Sequence, residues 1–408
     1  MHDAAHDSQA APRPVGGRRR AWPDGRPRVL QVVPALRRGG GGVERSAIDV
    51  AAALAANGGA SIVASAGGEM VHQLGRAGVA HLTLPLASKN PLTIWRNAGR
   101  LARAIEEQRI DIVHARSRAP AWSAWLATRR LGVPFVTTVH GAYDASNALK
   151  RRYNAIMTMA DLVIANSEFT ARSVVSTYGV DPGLIRIIHR GVDCDRFDRH
   201  RVSAERVIKL ARGWRVTDGQ AVVLLPARLT RWKGHALLIE ALARLGREDV
   251  ACLMVGAVGD HRRYRDELVG LASARGLGSR LMIVDHCDDM PAAFMLADVV
   301  VSASIEPEAF GRVVAEAQAM GRPVVVAGHG GAPEQILPGE TGWAFAPRDP
   351  AALAAALTQA LSLDAAARDR LAESAARHAR AHFSVEGMCA LTLAVYDELG
   401  PAAARGGA

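Results

Sequence analysis

Two glutamates, Glu308 and Glu316, lie eight residues apart in a stretch that runs from a short apolar strand into a helix. Pro307 keeps the residue before it out of the helical region, and a helix that begins near Phe310 therefore starts after Glu308. The axial rise between the two carboxylates is then about 9–12 Å, because a helix rises about 1.5 Å per residue. At that separation they can bind hydroxyl groups at two ends of one ligand.

The first turn of this helix would place free N–H groups between the two carboxylates, around Gly311, Arg312 and Val313. Such amides bind anions because the first N–H groups of a helix have no partner within it. A nucleotide sugar needs this set: one acid for sugar hydroxyls, amides for the diphosphate and one acid for the ribose diol. Two glutamates at this spacing are more often a solvated helix face, but the neighbouring proline, the Phe-Gly pair and the following strand favour the functional interpretation.

A second charged cluster lies on the loop after the apolar strand at residues 221–226, where Arg228 and Lys233 are five residues apart. Because they lie on a loop and not on one helix face, both can converge on one diphosphate. We expect this positive charge to stabilise a departing nucleoside diphosphate.

Three candidates follow strands in the first half of the chain. His140 lies at the carboxyl end of an apolar strand, where open α/β sheets bind ligands. Gly41 and Gly42 belong to a glycine loop after the first strand, where small residues let the backbone approach a phosphate. The loop lacks the GxGxxG and Walker spacings, so neither a dinucleotide site nor a P-loop is indicated. A structural histidine and a flexible glycine turn are the plain alternatives.

These residues need a framework of alternating strands and helices to bring them together. Apolar strand segments alternate with helical segments through both halves, which predicts an α/β class, and 408 residues suit two domains better than one core. The predicted divisions are a loose basic tail at 1–27, a first domain at 28–200, a second at 201–380, a last helix at 381–400 and a loose tail at 401–408.

Composition narrows the class of protein. A hydrophobic content of 49% with 22% charged residues is typical of a globular protein, and no uncharged apolar stretch reaches the length of about 18–20 residues that spans a bilayer. The first residues lack the apolar core of a signal peptide. The four cysteines have no metal-binding spacing and suit a reducing compartment, so we expect a cytoplasmic protein.

Positive charge is concentrated in the first half. Residues 1–200 contain 27 Lys and Arg against 16 Asp and Glu, a net charge of +11, and the remaining residues have a net charge of −1. The asymmetry favours a polyanionic partner such as a membrane surface, an anionic lipid or nucleic acid. An amphipathic helix at 91–108 with several arginines can lie on an anionic membrane, although packing against the core is the commoner explanation for such a helix.

The stretch EPEAFGRVVAEAQAMGRPVV at 306–325 resembles the donor-binding signature of the retaining glycosyltransferases of family 4, which have the GT-B fold. In that fold two Rossmann-like domains face each other across a cleft, and a C-terminal helix crosses back to the first domain. Further matches occur in the family's order: GGVER at 41–45, His-Gly at 140–141, the segment 185–197 between the domains and R-x4-KG at 228–234. The resemblance covers about residues 28–398.

The resemblance implies a role for each candidate residue. Glu308 would orient sugar hydroxyls, Glu316 would bind the ribose, and His140 would face the transferred sugar from the opposite domain. The glycine loop would abut the donor phosphate. The resemblance also implies that Asp285 lies in a loop under the nucleobase, and the backbone of Gly330 and Gly331 is a candidate lining for the sugar pocket, with a plain loop turn as the alternative.

It also implies retention by attack on the face from which the leaving group departs, because no carboxylate stands out as a covalent nucleophile. We expect no cofactor and no metal, since Arg228, Lys233 and helix amides do the work of a divalent ion. Asp193 and Asp195 form a D-x-D, which we assign to a turn because the glycosyltransferases that use that motif have another fold.

Three segments resemble bacterial lipopolysaccharide-core glycosyltransferases, including mannosyltransferases: TTVHGAY at 137–143, LKRRYNA at 149–155 and IANSEFT at 164–170. This implies transfer of a hexose, with GDP-mannose as the expected donor, to an anionic glycolipid or oligosaccharide, with peripheral contact at the inner membrane face. The sequence leaves the sugar, the base and the acceptor open.

Two alternative functions remain. One is a nucleotide-sugar 2-epimerase, which shares two Rossmann-like domains, and the other is a non-catalytic protein that binds nucleic acid or a membrane through the basic half. The complete set of Arg228, Lys233, Glu308 and Glu316 argues against both, and we expect no nucleic-acid partner.

Overall fold

A computed structural model of the protein describes residues 26–37, 42–143, 145–259 and 261–400. Gly41 and the predicted tails at 1–27 and 401–408 lie outside the described residues, apart from the last two positions of the first tail.

The first half forms a parallel sheet with helices on both faces. Its strands are β1 (Arg28–Val32), β2 (Ala60–Ser65), β3 (Ala80–Thr83), β4 (Ile112–Ala115), β5 (Phe135–Val139), β6 (Leu162–Ala165) and β7 (Ile185–Ile187). Its helices are α1 (Val43–Ala56), α2 (Val71–Arg76), α3 (Pro91–Glu107), α4 (Arg118–Leu131), α5 (Ala148–Asn154) and α6 (Glu168–Tyr178). The strand order is β3-β2-β1-β4-β5-β6-β7.

The second half forms another parallel sheet. Its strands are β8 (Ala221–Pro226), β9 (Val250–Val255), β10 (Leu281–Val284), β11 (Val299–Ser302), β12 (Val324–Ala327) and β13 (Gly342–Phe345), in the order β10-β9-β8-β11-β12-β13. Its helices are α7 (Ala204–Gly213), α8 (His235–Leu245), α9 (Arg262–Ala274), α10 (Met290–Leu296), α11 (Arg312–Ala319), α12 (Pro350–Leu361) and α13 (Ala365–Phe383), followed by a last helix, α14 (Val385–Leu399).

The inner strands of both sheets are buried on their two faces, which explains the continuous apolar runs in the sequence. Every residue of β4, β5, β6 and β9 is buried, as expected for parallel strands covered by helices on both sides. In each sheet the strand order reverses once, between β1 and β4 and between β8 and β11. Loops leave the carboxyl ends of the strands in opposite directions at such a point, and the crevice between them is where ligands bind.

Helix α14 returns from the second half and packs on the first sheet. Its buried residues Met388, Leu393 and Tyr396 share an apolar cluster with Val29 of β1 and Ile112 of β4. The predicted α/β class with two Rossmann-like domains, and a C-terminal helix that crosses back to the first, is therefore confirmed.

A buried hydrogen-bond chain fixes this returning helix. The Tyr396 hydroxyl lies 2.7 Å from Nδ1 of His114, and Nε2 of the same ring lies 2.6 Å from Oγ1 of Thr138. Burial and the nearby Arg116 lower the pKa of His114 well below its ordinary value, so the ring is neutral. A neutral ring accepts a hydrogen bond at one nitrogen and donates one at the other, which satisfies both contacts.

Glu334 forms a second connection between the halves. Its carboxylate accepts hydrogen bonds from the backbone N–H groups of Glu168, at 2.8 Å, and Phe169, at 2.6 Å, in the first turn of α6. Burial raises the pKa of Glu334, while these amides and Arg172 act in the opposite direction.

Among the helices within the described ranges, none combines the length and apolar character needed to cross a bilayer.

The hydrogen bond between the Tyr396 hydroxyl of α14 and His114 leads to a prediction about stability. Replacing Tyr396 with Phe leaves a ring nitrogen of His114 buried and unpaired, which should lower the free energy of unfolding by about 1–3 kcal/mol. Urea denaturation followed by tryptophan fluorescence measures the change. Tyr153→Phe is the matched control, because the buried Tyr153 hydroxyl makes no hydrogen bond within the part of the chain that is described. Equal effects of the two substitutions would contradict the role given to the Tyr396 hydroxyl.

Candidate active site between the two domains

A cleft with a volume of about 1060 Å³ separates the two domains at the carboxyl ends of both sheets. Loops after β1, β5, β8 and β11 line it, together with the segment that links the domains. The strand order explains this position, because β1 and β8 each lie at the reversal point of their sheet. The following candidate residues from the sequence line the cleft: Gly42, His140, Arg228, Lys233, Glu308, Gly311, Arg312, Val313 and Glu316.

Lys233 and Glu308 form an ion pair in this cleft. The Lys233 Nζ lies 2.5 Å from the Glu308 Oε1, and their side chains are only 14% and 18% exposed. The Ser304 hydroxyl donates to the other carboxylate oxygen at 3.1 Å. The pairing joins the loops after β8 and β11, which are neighbouring strands. The sequence predicted separate tasks for these two residues and did not reveal their contact.

Gly234 makes that contact sterically feasible. It has a φ of 77°, and a Cβ atom there would overlap the carbonyl oxygen of Ala303 at the end of the neighbouring strand. Only glycine permits both the left-handed backbone and the close approach. Arg228 lies on the same loop, is exposed, and lines the cleft together with Lys233 and Glu308.

The loop that carries Glu308 is supported from behind by two glycines. The Gly331 N–H donates to the Glu308 carbonyl at 2.7 Å. Side chains at Gly330 or Gly331 would overlap the backbone of Glu308 and Ala309. Among the described residues, the two glycines are not part of the cleft lining, so their observed role is to support the loop. Their predicted contact with the sugar stays a prediction.

Helix α11 begins at the cleft with Gly311 as its N-cap, in a left-handed conformation with φ of 82°. The guanidinium of Arg312, the first residue of the helix, binds the buried Glu316 one turn further along. Its Nη2 lies 2.7 Å and its Nε 3.2 Å from the Glu316 Oε1. The helix thus places amides, a cation and a carboxylate on one wall of the cleft. The sequence predicted Glu316 and the amides but not this ion pair.

His140 lines the opposite wall. Burial lowers its pKa well below the ordinary value, and the guanidinium groups of Arg190 and Arg116 act in the same direction. The ring is therefore neutral, and within the described residues neither of its buried nitrogens has a hydrogen-bond partner. A neutral imidazole without partners can donate to one ligand oxygen and accept from a ligand hydroxyl.

Two further acidic positions from the sequence, Asp285 and Asp193, accept hydrogen bonds from backbone N–H groups, and Asp193 also lines the cleft. Asp285 is exposed, accepts from the Val258 N–H at 2.5 Å, and is not among the described residues that line the cleft. Its contact with a nucleobase stays a prediction. Asp193 accepts at Oδ1 from the N–H groups of Asp195, at 3.2 Å, and Arg196, at 2.9 Å, which confirms that it shapes a turn. Within the described ranges, no three His, Cys, Asp or Glu side chains form a group that could hold a metal ion.

Several cleft residues were missed by the sequence reasoning. Glu44 and Asp49 on α1 line the cleft, as do Asn166 and Arg190 in the first domain. Burial raises the pKa of Asp49 although Arg45 lies 2.9 Å away.

Comparison with known proteins agrees with this geometry. Residues 40–196 match the family described as Glycosyltransferase Family 4, and residues 209–378 match the family described as Glycosyl transferases group 1. A glycosyltransferase structure from Rickettsia africae ESF-5 is 37% identical with a TM-score of 0.85, and the alignment covers 92% of this chain and 98% of that one. Anabaena Alr3699/HepE, solved in complex with UDP, is 25% identical with a TM-score of 0.78, over 91% and 100% of the two chains.

A curated relative is the D-inositol 3-phosphate glycosyltransferase of Mycobacterium tuberculosis, strain ATCC 25618 / H37Rv. It is 33% identical over 302 residues, which is 70% of this chain and 61% of that protein, so the match spans about three fifths of the relative's length. WaaG, a glycosyltransferase involved in lipopolysaccharide biosynthesis, shares the fold at 19% identity and a TM-score of 0.67 over 93% and 100% of the chains. The chain therefore belongs to the glycosyltransferases that join a Family 4 domain to a group 1 domain, with the GT-B fold.

Proposed function

We propose that this glycosyltransferase transfers a hexose from a nucleotide diphosphate sugar with retention of configuration and without a metal ion. The observation that carries the proposal is the Lys233–Glu308 pair, 2.5 Å apart in the cleft and flanked by Arg228 and the start of α11. The cations that would bind a diphosphate lie next to the carboxylate that would bind sugar hydroxyls. The relative solved with UDP supports the donor class.

In the free enzyme Glu308 neutralises Lys233. A bound donor brings a diphosphate, which competes for the Lys233 ammonium and leaves the Glu308 carboxylate to accept from sugar hydroxyls. Arg228 and the amides at Gly311 and Arg312 bind the same diphosphate. Glu316 binds the ribose diol, since Arg312 contacts only one of its two carboxylate oxygens in the hydrogen bonds described above.

In the transfer itself, the bond between the anomeric carbon and the diphosphate oxygen breaks, and the acceptor hydroxyl forms a new bond on the same face. The acceptor proton passes to the departing diphosphate, so charge and atoms balance without another reactant. Negative charge grows on the diphosphate as this bond breaks, and Arg228 and Lys233 are already in place to stabilise it. His140 contacts the transferred sugar from the other wall.

The acceptor is proposed to be anionic, a glycolipid or oligosaccharide such as a lipopolysaccharide core, with GDP-mannose as the donor. Three observations support an anionic acceptor: the net charge of +11 in residues 1–200, the Arg37 and Arg196 side chains on the cleft wall, and the phosphate-bearing substrate in the name of the mycobacterial relative. The matches to glycosyltransferases favour transfer over the epimerase and adaptor alternatives. A screen of UDP-, GDP- and ADP-sugars against phosphorylated and dephosphorylated acceptors tests the donor and acceptor together.

Peripheral contact with an anionic membrane is also proposed, through the adjoining helices α3, α4 and α5. The inner face of α3 packs in the core, but Leu92 and Trp95 on its outer face are 53% and 69% exposed, and Leu149 on α5 is 83% exposed. Eight basic residues of these helices are exposed, and Glu106 and Glu107 are exposed at the end of α3. The basic residues are Arg96, Arg100, Arg103, Arg129, Arg130, Lys150, Arg151 and Arg152. Exposed apolar side chains among basic ones are typical of helices that lie on anionic lipid.

Substitution of Glu308 tests the transfer mechanism. Glu308→Gln should lower kcat on the order of 100-fold or more, because removal of one preorganised group at the reacting centre has an effect of that size. Binding of nucleoside diphosphate, measured by calorimetry, should persist. Glu340→Gln is the control, since Glu340 is exposed on a loop and does not line the cleft. Wild-type transfer by a folded Glu308→Gln protein would overturn the mechanism.

The pKa of His140 predicts part of the pH profile. Because burial keeps that pKa well below its ordinary value, the ring stays neutral as the pH falls from about 8 to about 6, and kcat/KM should show no titration from it in that range. Rates of wild type and His140→Gln across these pH values make the comparison, with the exposed His286→Gln as a control. An acid limb near pH 6.5 that disappears only in His140→Gln would contradict the neutral ring.

Vesicle binding tests the membrane surface. Wild-type protein should sediment with phosphatidylglycerol vesicles and remain in solution with phosphatidylcholine vesicles, and binding should weaken as salt is added. Leu92→Ser should lower the bound fraction, while Leu391→Ser should not, because Leu391 is a comparably exposed leucine on α14, at 46% against 53% for Leu92. Equal binding to both vesicles, or equal effects of the two substitutions, would refute this surface.

A further inference from the structure

Arg190 lies on the segment between the domains, three residues after the end of β7, and its side chain lines the cleft. The backbone next to it is held firmly. Val192 donates its N–H to the Phe383 carbonyl at 2.7 Å, and a Cβ at Gly191 would lie 2.6 Å from Cα of Val385. Both partners belong to the corner between α13 and α14, so the return of the chain to the first domain determines where Arg190 stands.

Arg190 and Arg312 approach one point from opposite domains. A Cβ atom added at Gly42 would lie 2.5 Å from Nη1 of Arg190 and 3.1 Å from Nη1 of Arg312. Gly42 is the N-cap of the 14-residue helix α1, so the positive end of that helix dipole lies at the same point. Two guanidinium groups and a helix N-terminus therefore surround one glycine.

The surroundings of Arg190 disfavour its charged form. Burial, with the guanidinium groups of Arg312 and Arg116, lowers the pKa of Arg190 to about 10, and the carboxylates of Glu308 and Glu44 act in the opposite direction. Like charges at short range repel one another, and an anion placed between them reverses the sign of the interaction. The donor diphosphate is the anion that the proposed reaction brings to this place.

We propose that Arg190 binds the diphosphate of the donor together with Arg312, from the side opposite Arg228 and Lys233. The leaving group is then held by cations from both domains. Arg190 is a catalytic residue in this sense, because it contacts the diphosphate as negative charge develops there. The inference rests on the proposed function and adds a contact from the first domain that the donor-binding motifs of the second domain do not contain.

Nucleotides that differ by one phosphate test the contact directly. We expect calorimetry to show that wild type binds UDP or GDP more tightly than UMP or GMP. In Arg190→Gln the affinity for the diphosphate should fall about 10- to 100-fold, as for loss of a charged hydrogen bond, while the affinity for the monophosphate stays within about threefold. Arg190→Lys should keep part of the preference, because it keeps the charge but loses the two-pronged geometry.

Arg196→Gln is the matched control. Arg196 also lines the cleft, but its guanidinium lies over the Phe197 ring, 5.3 Å from the centroid, so the preference for diphosphate should not change. Gly42→Ala provides a second test that removes no charge. Its methyl group displaces the Arg190 guanidinium and also strains the left-handed backbone at Gly42, which has a φ of 91°. Diphosphate affinity should therefore fall more than monophosphate affinity, which serves as the internal reference for the strain.

Equal losses of diphosphate and monophosphate affinity in Arg190→Gln would show a structural role and overturn the inference. An unchanged preference for diphosphate in folded Arg190→Gln would also overturn it. If Arg190→Gln does not fold, an unchanged preference in both Gly42→Ala and Arg190→Lys would do the same. Wild type that binds no nucleotide would refute the proposed function itself. A diphosphate preference that depends on Arg228 and Lys233 but not on Arg190 would refute only this inference.

Discussion

The close approach of the loops after β8 and β11 is the constraint on which the site depends. Lys233 reaches Glu308 only because Gly234 lies against the backbone of Ala303 without a side chain between them. The resulting ion pair is mostly shielded from water, so removing one partner leaves a charge without compensation, at a cost of about 3–5 kcal/mol. The pair therefore holds two loops together. It also places a carboxylate and an ammonium side by side in the cleft, where a ligand can bind each of them.

Positive charge across the cleft is not balanced by the acids around it. Among the described side chains that line it, seven are Lys or Arg and five are Asp or Glu. Three of the acids already have cationic partners: Glu308 with Lys233, Glu316 with Arg312 and Asp49 with Arg45. Arg190 follows β7 of the first sheet, and Arg228 follows β8 of the second. An excess of cations in a cleft favours a polyanionic ligand, and preorganised positive charge of this kind stabilises negative charge on such a ligand.

Much of the fold and several residues of the site could be predicted from the sequence, because local patterns determine them. Apolar runs and turn residues predicted the alternating strands and helices, and parallel sheets place the ends of their central strands together. Residues that follow those ends, such as His140, Lys233 and Glu308, were therefore identified as candidates. Side-chain pairings were not predictable in the same way, because they depend on the distance between loops that are far apart in sequence.

Gly330 and Gly331 show a different limit. A glycine pair next to a candidate site is consistent with contact to a ligand and equally with close packing of two backbones, and sequence alone does not separate them. The structure places them behind the loop of Glu308, against Ala309. Arg190 was overlooked for the opposite reason, since its segment was interpreted by its place between the domains and not by its charge.

The two connections between the domains differ in their chemistry, and this difference bears on how the cleft works. Helix α14 buries Met388, Leu393 and Tyr396 against the first sheet, a largely apolar contact that also anchors the segment of Arg190. Glu334, in contrast, joins the second domain to α6 through hydrogen bonds to backbone amides, with its side chain 17% exposed. Water can replace such bonds at little cost, whereas exposing an apolar helix costs about 25 cal/mol for each Å². The apolar connection is therefore the more costly of the two to break.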